Sequence, residues 1–304
     1  MSPWIEAIRV RTLPASIAGV LMGVAIAAHC GPISWAQGGL CLLFALLAQI
    51  ASNFANEYFD FRNGLDKKGR EGFRRGVTEG DISPGTMLGA TLGVIGAACV
   101  VGLTMLWLSG EWWILIPGAL VPVFALAYSA GPWPLSHHGL GDLAVVIFFG
   151  VVPVTLTAYL CGHNSWDTLP LSGPASLAIG LLGANILIVN NYRDADDDRA
   201  VGKHTTVVLL GRKTMSWVYL LDGVVAVLLL IPVWIATEPL GWPVPLRYLS
   251  WVVPVLYLAL HTAIWRKMTR LRGASLNPLL GLTAANLLLL TLLAAGLLLA
   301  TPRF

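Results

Sequence analysis

Apolar runs of about 20 residues, the length a helix needs to cross a bilayer, recur along this chain and leave nothing of domain size between them. Nine can be read, at 13–29, 38–60, 85–108, 113–129, 141–161, 174–192, 215–237, 248–266 and 277–300. Hydrocarbon offers the backbone no partners, so only helices and closed barrels span it, and these runs lack the alternation of barrel strands. The expected fold class is therefore all-α: a polytopic membrane protein of nine transmembrane helices, with residues 1–304 forming one domain. Charge content agrees. Only 12% of residues are charged, about half the ~25% usual in soluble domains.

Basic residues set the orientation. Of the 19 Lys and Arg, all but Arg247 and Arg303 fall before the first run or in the connections after the second, sixth and eighth. Nine spans then put the N-terminus and these loops in the cytoplasm and the C-terminus outside, as in a bacterial inner membrane. The net charge of +3 is accounted for by topology and gives no case for nucleic acid. Arg9 and Arg11, followed by an apolar run and "AIAA", also fit a cleaved signal peptide. Loss of that segment would leave the remaining charge pattern unchanged, so charge does not decide the point. Cys30, Cys41, Cys99 and Cys161 have no C-x-x-C spacing and read as small apolar fillers.

The inside loops differ in character. The connection after the eighth run is short and wholly basic, a topological anchor. Those after the second and sixth runs mix signs, and the first of them is long enough to be a binding segment or lid. In the second, the apolar "SLAIGLLGANILIV" runs straight into "NNYRDADDDRAVGK", Asn190 to Lys203. Charges are costly beside hydrocarbon and rarely sit there without a task.

The two acidic clusters echo each other: Asn56-x-x-x-Asp60 followed by Asp66, and Asn190-x-x-x-Asp194-x-x-x-Asp198. Residues at i and i+4 share a helix face, so Asn190, Asp194 and Asp198 form one stripe while Asp196 and Asp197 point away to solvent. Asn53, Asn56 and Asp60 stack in the same manner, and Gly64 lets the chain turn so that Asp66 folds back. Both stripes end even-numbered helices four spans apart, which suggests a parallel repeat. Carboxylates so placed are hard oxygen ligands, and Mg²⁺ is typically held by one or two of them plus phosphate oxygens of a substrate. Lys67, Arg74, Arg75, Arg193 and Lys203 nearby would pair with the remaining oxygens of a diphosphate. The plain alternative is two solvated loops whose acids balance topological Lys and Arg.

These motifs resemble the two aspartate-rich motifs of the UbiA superfamily, the intramembrane aromatic prenyltransferases. The likeness extends through "AIRVRTLPAS" at Ala7, "NEYFDFRNGLD" at Asn56, "AYSAGPWPLSHHGLGD" at Ala127, "NNYRDADDDRAVGKHT" at Asn190 and "LNPLLGLTA" at Leu276. Within the superfamily it is nearest to the polyprenyltransferases of menaquinone synthesis, which act on 1,4-dihydroxy-2-naphthoate. The resemblance implies nine helices around a central cavity, capped by cytoplasmic loops at its polar end and open to membrane lipid at its side. It further implies that Asn56, Asp60 and Asp66 hold one Mg²⁺ and Asp194 and Asp198 another. Arg193, Lys203, Arg75 and Lys67, with Asn53, Asn190 and Asn191, would then bind the diphosphate of a polyprenyl diphosphate. Asp60, Asp194 and Tyr128 would be the catalytic residues, Tyr128 matching a tyrosine expected beside the forming carbocation. An aromatic face attracts a desolvated cation by about 2 kcal/mol; equally, Tyr128 reads as an interfacial belt residue.

Departures from the family pattern narrow the branch. Glu57 stands where relatives often carry Asp, outside the expected metal shell. The connection from Ser129 to Gly141 lacks Lys and Arg, unlike the basic loop of 4-hydroxybenzoate-using relatives. "KKGREGFRRG" departs from the haem-farnesylating branch. His137 and His138 lie in a Gly/Pro turn and read as interface residues. Among other classes, a divalent-cation transporter would carry its acids near the midplane of inverted repeats, not at helix ends on one face. An Asp-Gly-x-x-Ala-Arg signature of phosphatidyltransferases is absent.

Overall fold

The computed structural model describes residues 2–66, 68, 72–238 and 248–302, and every regular element among them is helical. The principal helices are α1 (Leu13–Cys30), α2 (Trp35–Arg62), α3 (Pro84–Ser109) and α4 (Leu115–Ala127). Next come α5 (Gly141–Cys161) and α6 (Leu169–Ala200). The chain ends with α7 (Thr206–Leu229), α8 (Val252–Arg270) and α9 (Asn277–Ala300). Short side chains start several of them. Ser34, Ser83 and Thr205 accept hydrogen bonds from Gln37, Thr86 and Val208 N–H at the heads of α2, α3 and α7.

Length and hydropathy make seven helices among the described residues able to cross a membrane, which is nine less α4 and α8. The expected count of nine is not confirmed by them. The apolar helix Trp112–Ala127 is too short, and α8 is diluted by His261, Arg266, Lys267 and Arg270. Adding these two recovers the nine segments read from sequence, but their length and composition alone do not establish them as spans. The chain is an integral membrane protein on the strength of the other seven.

α1 and α6 form the centre. Ala18, Met22, Ile26, Ala178, Ile179 and Leu182 are essentially inaccessible, so the first segment is built into the core. Leu103, Trp107 and Ile116 on α3 and α4 are 50–73% exposed, as side chains facing lipid are. Apolar burial is a weak driver between helices in hydrocarbon, where close packing by small residues takes its place. α5 and α6 show it best: a Cβ on Gly150 would stand 2.3 Å from Ser176 O and 2.4 Å from Gly180 Cα. α5 widens into a π-helical turn over Val146–Val151, just ahead of Pro153, which has no N–H to give the helix.

α6 has 32 residues, about 48 Å at 1.5 Å per residue against roughly 30 Å of hydrocarbon. Its charged last turns therefore need not lie in the apolar layer. α2, with 28 residues, likewise runs on into its acidic cluster.

Candidate active site

The ends of α2 and α6 meet at one cavity of about 500 Å³. Asn53, Asn56 and Asp60 line it from α2, and Asn190, Asn191, Asp194 and Asp198 from α6, with Arg75, Tyr128 and Lys203 beside them. Away from this polar end the wall is apolar, formed by residues such as Leu106, Phe124, Phe148, Phe149, Val152 and Leu156. Phe124 and Phe148 pack with ring centroids 4.7 Å apart.

Helix geometry divides the acidic run on α6. Asp194 and Asp198 are buried, 3% and 8% exposed, whereas Asp196 and Asp197 face outward. Asp196 pairs at the surface with Arg212 at 3.0 Å and Arg199 at 3.6 Å. On α2, Gly64 takes φ +67°, the left-handed conformation glycine adopts without steric cost. The chain reverses there, Leu65 N–H bonds Asp60 O at 2.9 Å, and the Asp66 side chain folds back to 3% exposure.

Basic side chains pair with the carboxylates of both clusters. Lys203 Nζ donates to Asp60 Oδ2 at 3.2 Å. Arg75 reaches Asp66 Oδ2 at 3.5 Å and Asp60 Oδ2 at 4.0 Å, and its Nη2 donates to Asn56 Oδ1 at 3.0 Å. Arg193 forks onto Asp194 through two 2.7 Å bonds and also donates to Asn190 Oδ1 at 2.8 Å and Asn277 Oδ1 at 2.9 Å. Phe73, from the α2–α3 connection, lies between Arg11 and Arg193, 4.6 Å and 5.2 Å from their guanidinium carbons.

Two expected residues stand apart. Arg193 and Asp66 are not among those lining the cavity. Arg193 lies behind the wall with its donors directed at Asn190, Asp194 and Asn277, a brace for the carboxylate rather than an open cation. Lys67 lies outside the described residues. Glu57 accepts from Val77 N–H at 3.0 Å and so holds the α2–α3 connection, away from the cavity. Among the described residues no three His, Cys, Asp or Glu form a metal-binding group. The donor set nonetheless suits Mg²⁺, which takes only one or two carboxylates when phosphate oxygens supply the rest. Asp60 Oδ1 is a buried acceptor with no hydrogen-bond partner among the described residues.

Three further residues surround the α2 stripe without having been singled out in the sequence. Arg9 lines the cavity and donates to Asn56 Oδ1, the acceptor it shares with Arg75. It does so from a left-handed backbone, φ 55° and ψ 56°. Gln49, one turn before Asn53, donates to Asn53 Oδ1 at 3.3 Å. Its i−4 spacing inside an apolar run was a usable signal. Ser129 accepts from Asn56 Nδ2 at 2.9 Å, tying α2 to the connection after α4.

That connection forms the rim. Ser136 lines the cavity and its N–H donates to Tyr128 O at 3.0 Å. His204 N–H donates to His137 O at 3.0 Å, joining the rim to the segment after α6. His138 bonds Pro134 O at 2.8 Å and packs on Trp133. Burial, with Lys203 adding to it, pushes His137 below its ordinary value. Of the cysteines, Cys41 and Cys161 are buried fillers as expected, whereas Cys30 and Cys99 are exposed.

Residues 16–278 match the UbiA prenyltransferase family. The chain is 38% identical over 213 residues to 1,4-dihydroxy-2-naphthoate octaprenyltransferase of Escherichia coli K12, covering 68% of each. It is 32% identical over 250 residues to the protein of that name from Mycobacterium leprae, covering 80% of this chain and 83% of that one. Among solved structures, an apo UbiA homolog from Aeropyrum pernix K1 aligns with TM-score 0.67 at 18% identity, over 93% of this chain and 96% of its own. A UbiA homolog from Archaeoglobus fulgidus bound to GPP and Mg²⁺ aligns with TM-score 0.63 at 13% identity, over 97% and 100%. At such identities the structural likeness speaks for the fold.

Proposed function

The chain belongs to the UbiA prenyltransferase family, and on that footing we propose that it transfers a polyprenyl group from an allylic polyprenyl diphosphate to 1,4-dihydroxy-2-naphthoate. CO₂ and diphosphate leave, and the product is a demethylmenaquinone precursor of menaquinone. The observation that carries this reading is the cavity itself: two acidic helix ends from different parts of the chain share it, and the rest of its wall is apolar. A diphosphate fits the first part and a polyprenyl chain the second. The named relatives supply the acceptor.

Asn56, Asp60 and Asp66 on one side, and Asp194 and Asp198 on the other, would hold Mg²⁺ with the diphosphate. When bound, the metal supplies Lewis-acid stabilisation of the charge that builds on the departing diphosphate. Arg75 and Lys203 add fixed positive charge at the same end, with Asn53, Asn190 and Asn191 as polar contacts. Arg193 keeps Asp194 oriented. Lys67, whose position is outside the described residues, stays in the proposed diphosphate set on sequence alone.

Cleavage of the C–O bond leaves an allylic cation. The apolar wall keeps water from it, and the Tyr128 ring offers a π face that stabilises positive charge. The electron-rich naphthol carbon bearing the carboxylate forms the new C–C bond. Loss of CO₂ from the carboxylate at that carbon leaves its bonding pair in the ring and restores aromaticity. Residues 1–304 act as one unit, in the bacterial cytoplasmic membrane, with the N-terminus and the polar mouth of the cavity on the cytoplasmic side, where 17 of the 19 basic residues would lie.

The test is direct. Purified protein, given a prenyl diphosphate and the naphthoate, should release CO₂ and diphosphate, stop when EDTA is added and resume with excess Mg²⁺. Turnover that persists through chelation would remove the metal assignment. Absence of prenylated product with any aromatic acceptor would remove the function.

A further inference from the structure

A second concavity, of about 290 Å³, opens between α8 and α9, well apart from the active-site cavity. Its walls are two matched helical stripes. Leu260, Ala263, Ile264 and Lys267 come from α8, and Leu282, Ala285, Asn286 and Leu289 from α9, each set spaced i, i+3, i+4, i+7 as one helix face requires. Ala263 and Ala285 face into it, and their small side chains leave the gap that leucines would fill. Leu260, Leu282 and Leu289 are 39–46% exposed, so the groove opens to lipid.

Its single charged wall residue is Lys267, at the basic end of the bundle. Arg270 lies one turn further on the same face, and Arg266 and Arg272 flank them. From residue 239 to the end of the chain there is no Asp or Glu. Arg272 is directed at Tyr192 Oη and nearby carbonyls, but among the described residues Arg266, Lys267 and Arg270 make no ion pair. Topology alone accounts for basic residues at this end. It does not account for an apolar groove leading away from one of them for seven residues, roughly 10 Å.

We propose that this groove is a binding site for an anionic phospholipid of the leaflet at the basic end. Its acyl chain lies between Ala263 and Ala285, and its phosphate pairs with Lys267, supported by Arg270. A zwitterionic lipid brings a cation of its own into the same cluster and binds less well. One basic residue near the surface favours anionic lipid by a factor of about five. The inference does not depend on the reaction the protein catalyses.

Native mass spectrometry of the full chain, equilibrated in micelles with equal phosphatidylglycerol and phosphatidylcholine, tests it. The wild type should retain phosphatidylglycerol preferentially, Lys267→Ala should lower that retention about fivefold, and Ala263→Leu should lower retention of both lipids. Lys213→Ala, at an exposed basic residue on α7, should change nothing. Equal retention of the two lipids, or no effect of Lys267→Ala, overturns the proposal. So does loss of a dimer on Ala263→Leu, which makes the groove a self-interface, or displacement of the lipid by a prenyl diphosphate, which makes it a substrate site.

Discussion

Lys203 and Asp60, 143 residues apart, meet across the mouth of the cavity at 3.2 Å. Asp60 belongs to the end of α2 and Lys203 follows the end of α6, so this one contact joins the two acidic clusters. Both side chains are largely shielded, at 12% and 2% exposure, where an ion pair must recover much desolvation energy. Asp60 retains an unused oxygen there. A diphosphate arriving with its metal gives Lys203 a new anion and Asp60 a new cation, so the pair can exchange partners without leaving either charge bare.

The face on which each carboxylate lies should decide its worth. Asp60→Ala, Asp66→Ala, Asp194→Ala and Asp198→Ala are each expected to reduce turnover by at least about a hundredfold, since outer-shell changes alone cost 10- to 100-fold. Asp196→Ala removes only exposed pairs with Arg199 and Arg212, of little energetic consequence, and should stay within about twofold, as should Asp197→Ala. Steady-state rates of the six variants read this out. Equal losses in all six would dissolve the distinction between faces.

Helix periodicity made the inward face of α6 legible, because 3.6 residues per turn leaves Asp194 and Asp198 no choice once Asn190 points in. The turn at Gly64 was legible for a similar reason. What sequence spacing could not show is which donor satisfies which acceptor. Arg193 grips the carboxylate of its own neighbour, Asp194, and Arg9 reaches Asn56 from a conformation that non-glycine residues seldom adopt. Helix length and hydropathy do not by themselves match the nine-span count at α4, where a hydropathy window takes in flanking apolar residues, or at α8, where polar residues lie within the segment.

Arg9 separates stability from function. Glycine at this position relieves a left-handed backbone that costs an L-residue about 1–2 kcal/mol and removes the donor to Asn56 Oδ1. Arg9→Gly should therefore leave the thermal midpoint in detergent unchanged or raised while turnover falls about tenfold, the loss of one hydrogen bond to a charged group. A lowered midpoint with activity falling in proportion would mark Arg9 as purely structural.

The α5–α6 crossing should tolerate no side chain. At Gly150 a Cβ would meet backbone atoms, Ser176 O at 2.3 Å and Gly180 N at 2.5 Å, which cannot step aside as a rotamer can. Gly150→Ala is expected to destabilise by about 3 kcal/mol or more, the upper range for overpacking, seen as a lower unfolding midpoint. Gly96→Ala, at an exposed position on α3 with open space around it, is the matched control and should be nearly silent. An unchanged midpoint for Gly150→Ala would mean that α5 and α6 do not cross this closely.

Acceptor choice should follow from the absence of a cation at the rim. No Lys or Arg lies between Ser129 and Gly141. His137, whose pKa burial and Lys203 push down, is neutral at pH 7, because a histidine with a lowered pKa takes up its proton only in more acidic solution. A naphthoate compensates with a second ring, whose burial is worth about 25 cal/mol per Å². Its carboxylate must depart, and a salt bridge holding it would stabilise the ground state more than the transition state. Efficient prenylation of 1,4-dihydroxy-2-naphthoate with release of CO₂ is expected, and little or none of 4-hydroxybenzoate. Ser136 lines the cavity beside Tyr128, so Ser136→Arg would bring a guanidinium to the rim, lowering KM for hydroxybenzoate without raising naphthoate turnover. Product analysis by mass decides between the acceptors. Equal use of both by the wild type, with the carboxylate kept in the product, would place the chain in a different branch of its family and leave the prenyl transfer itself intact.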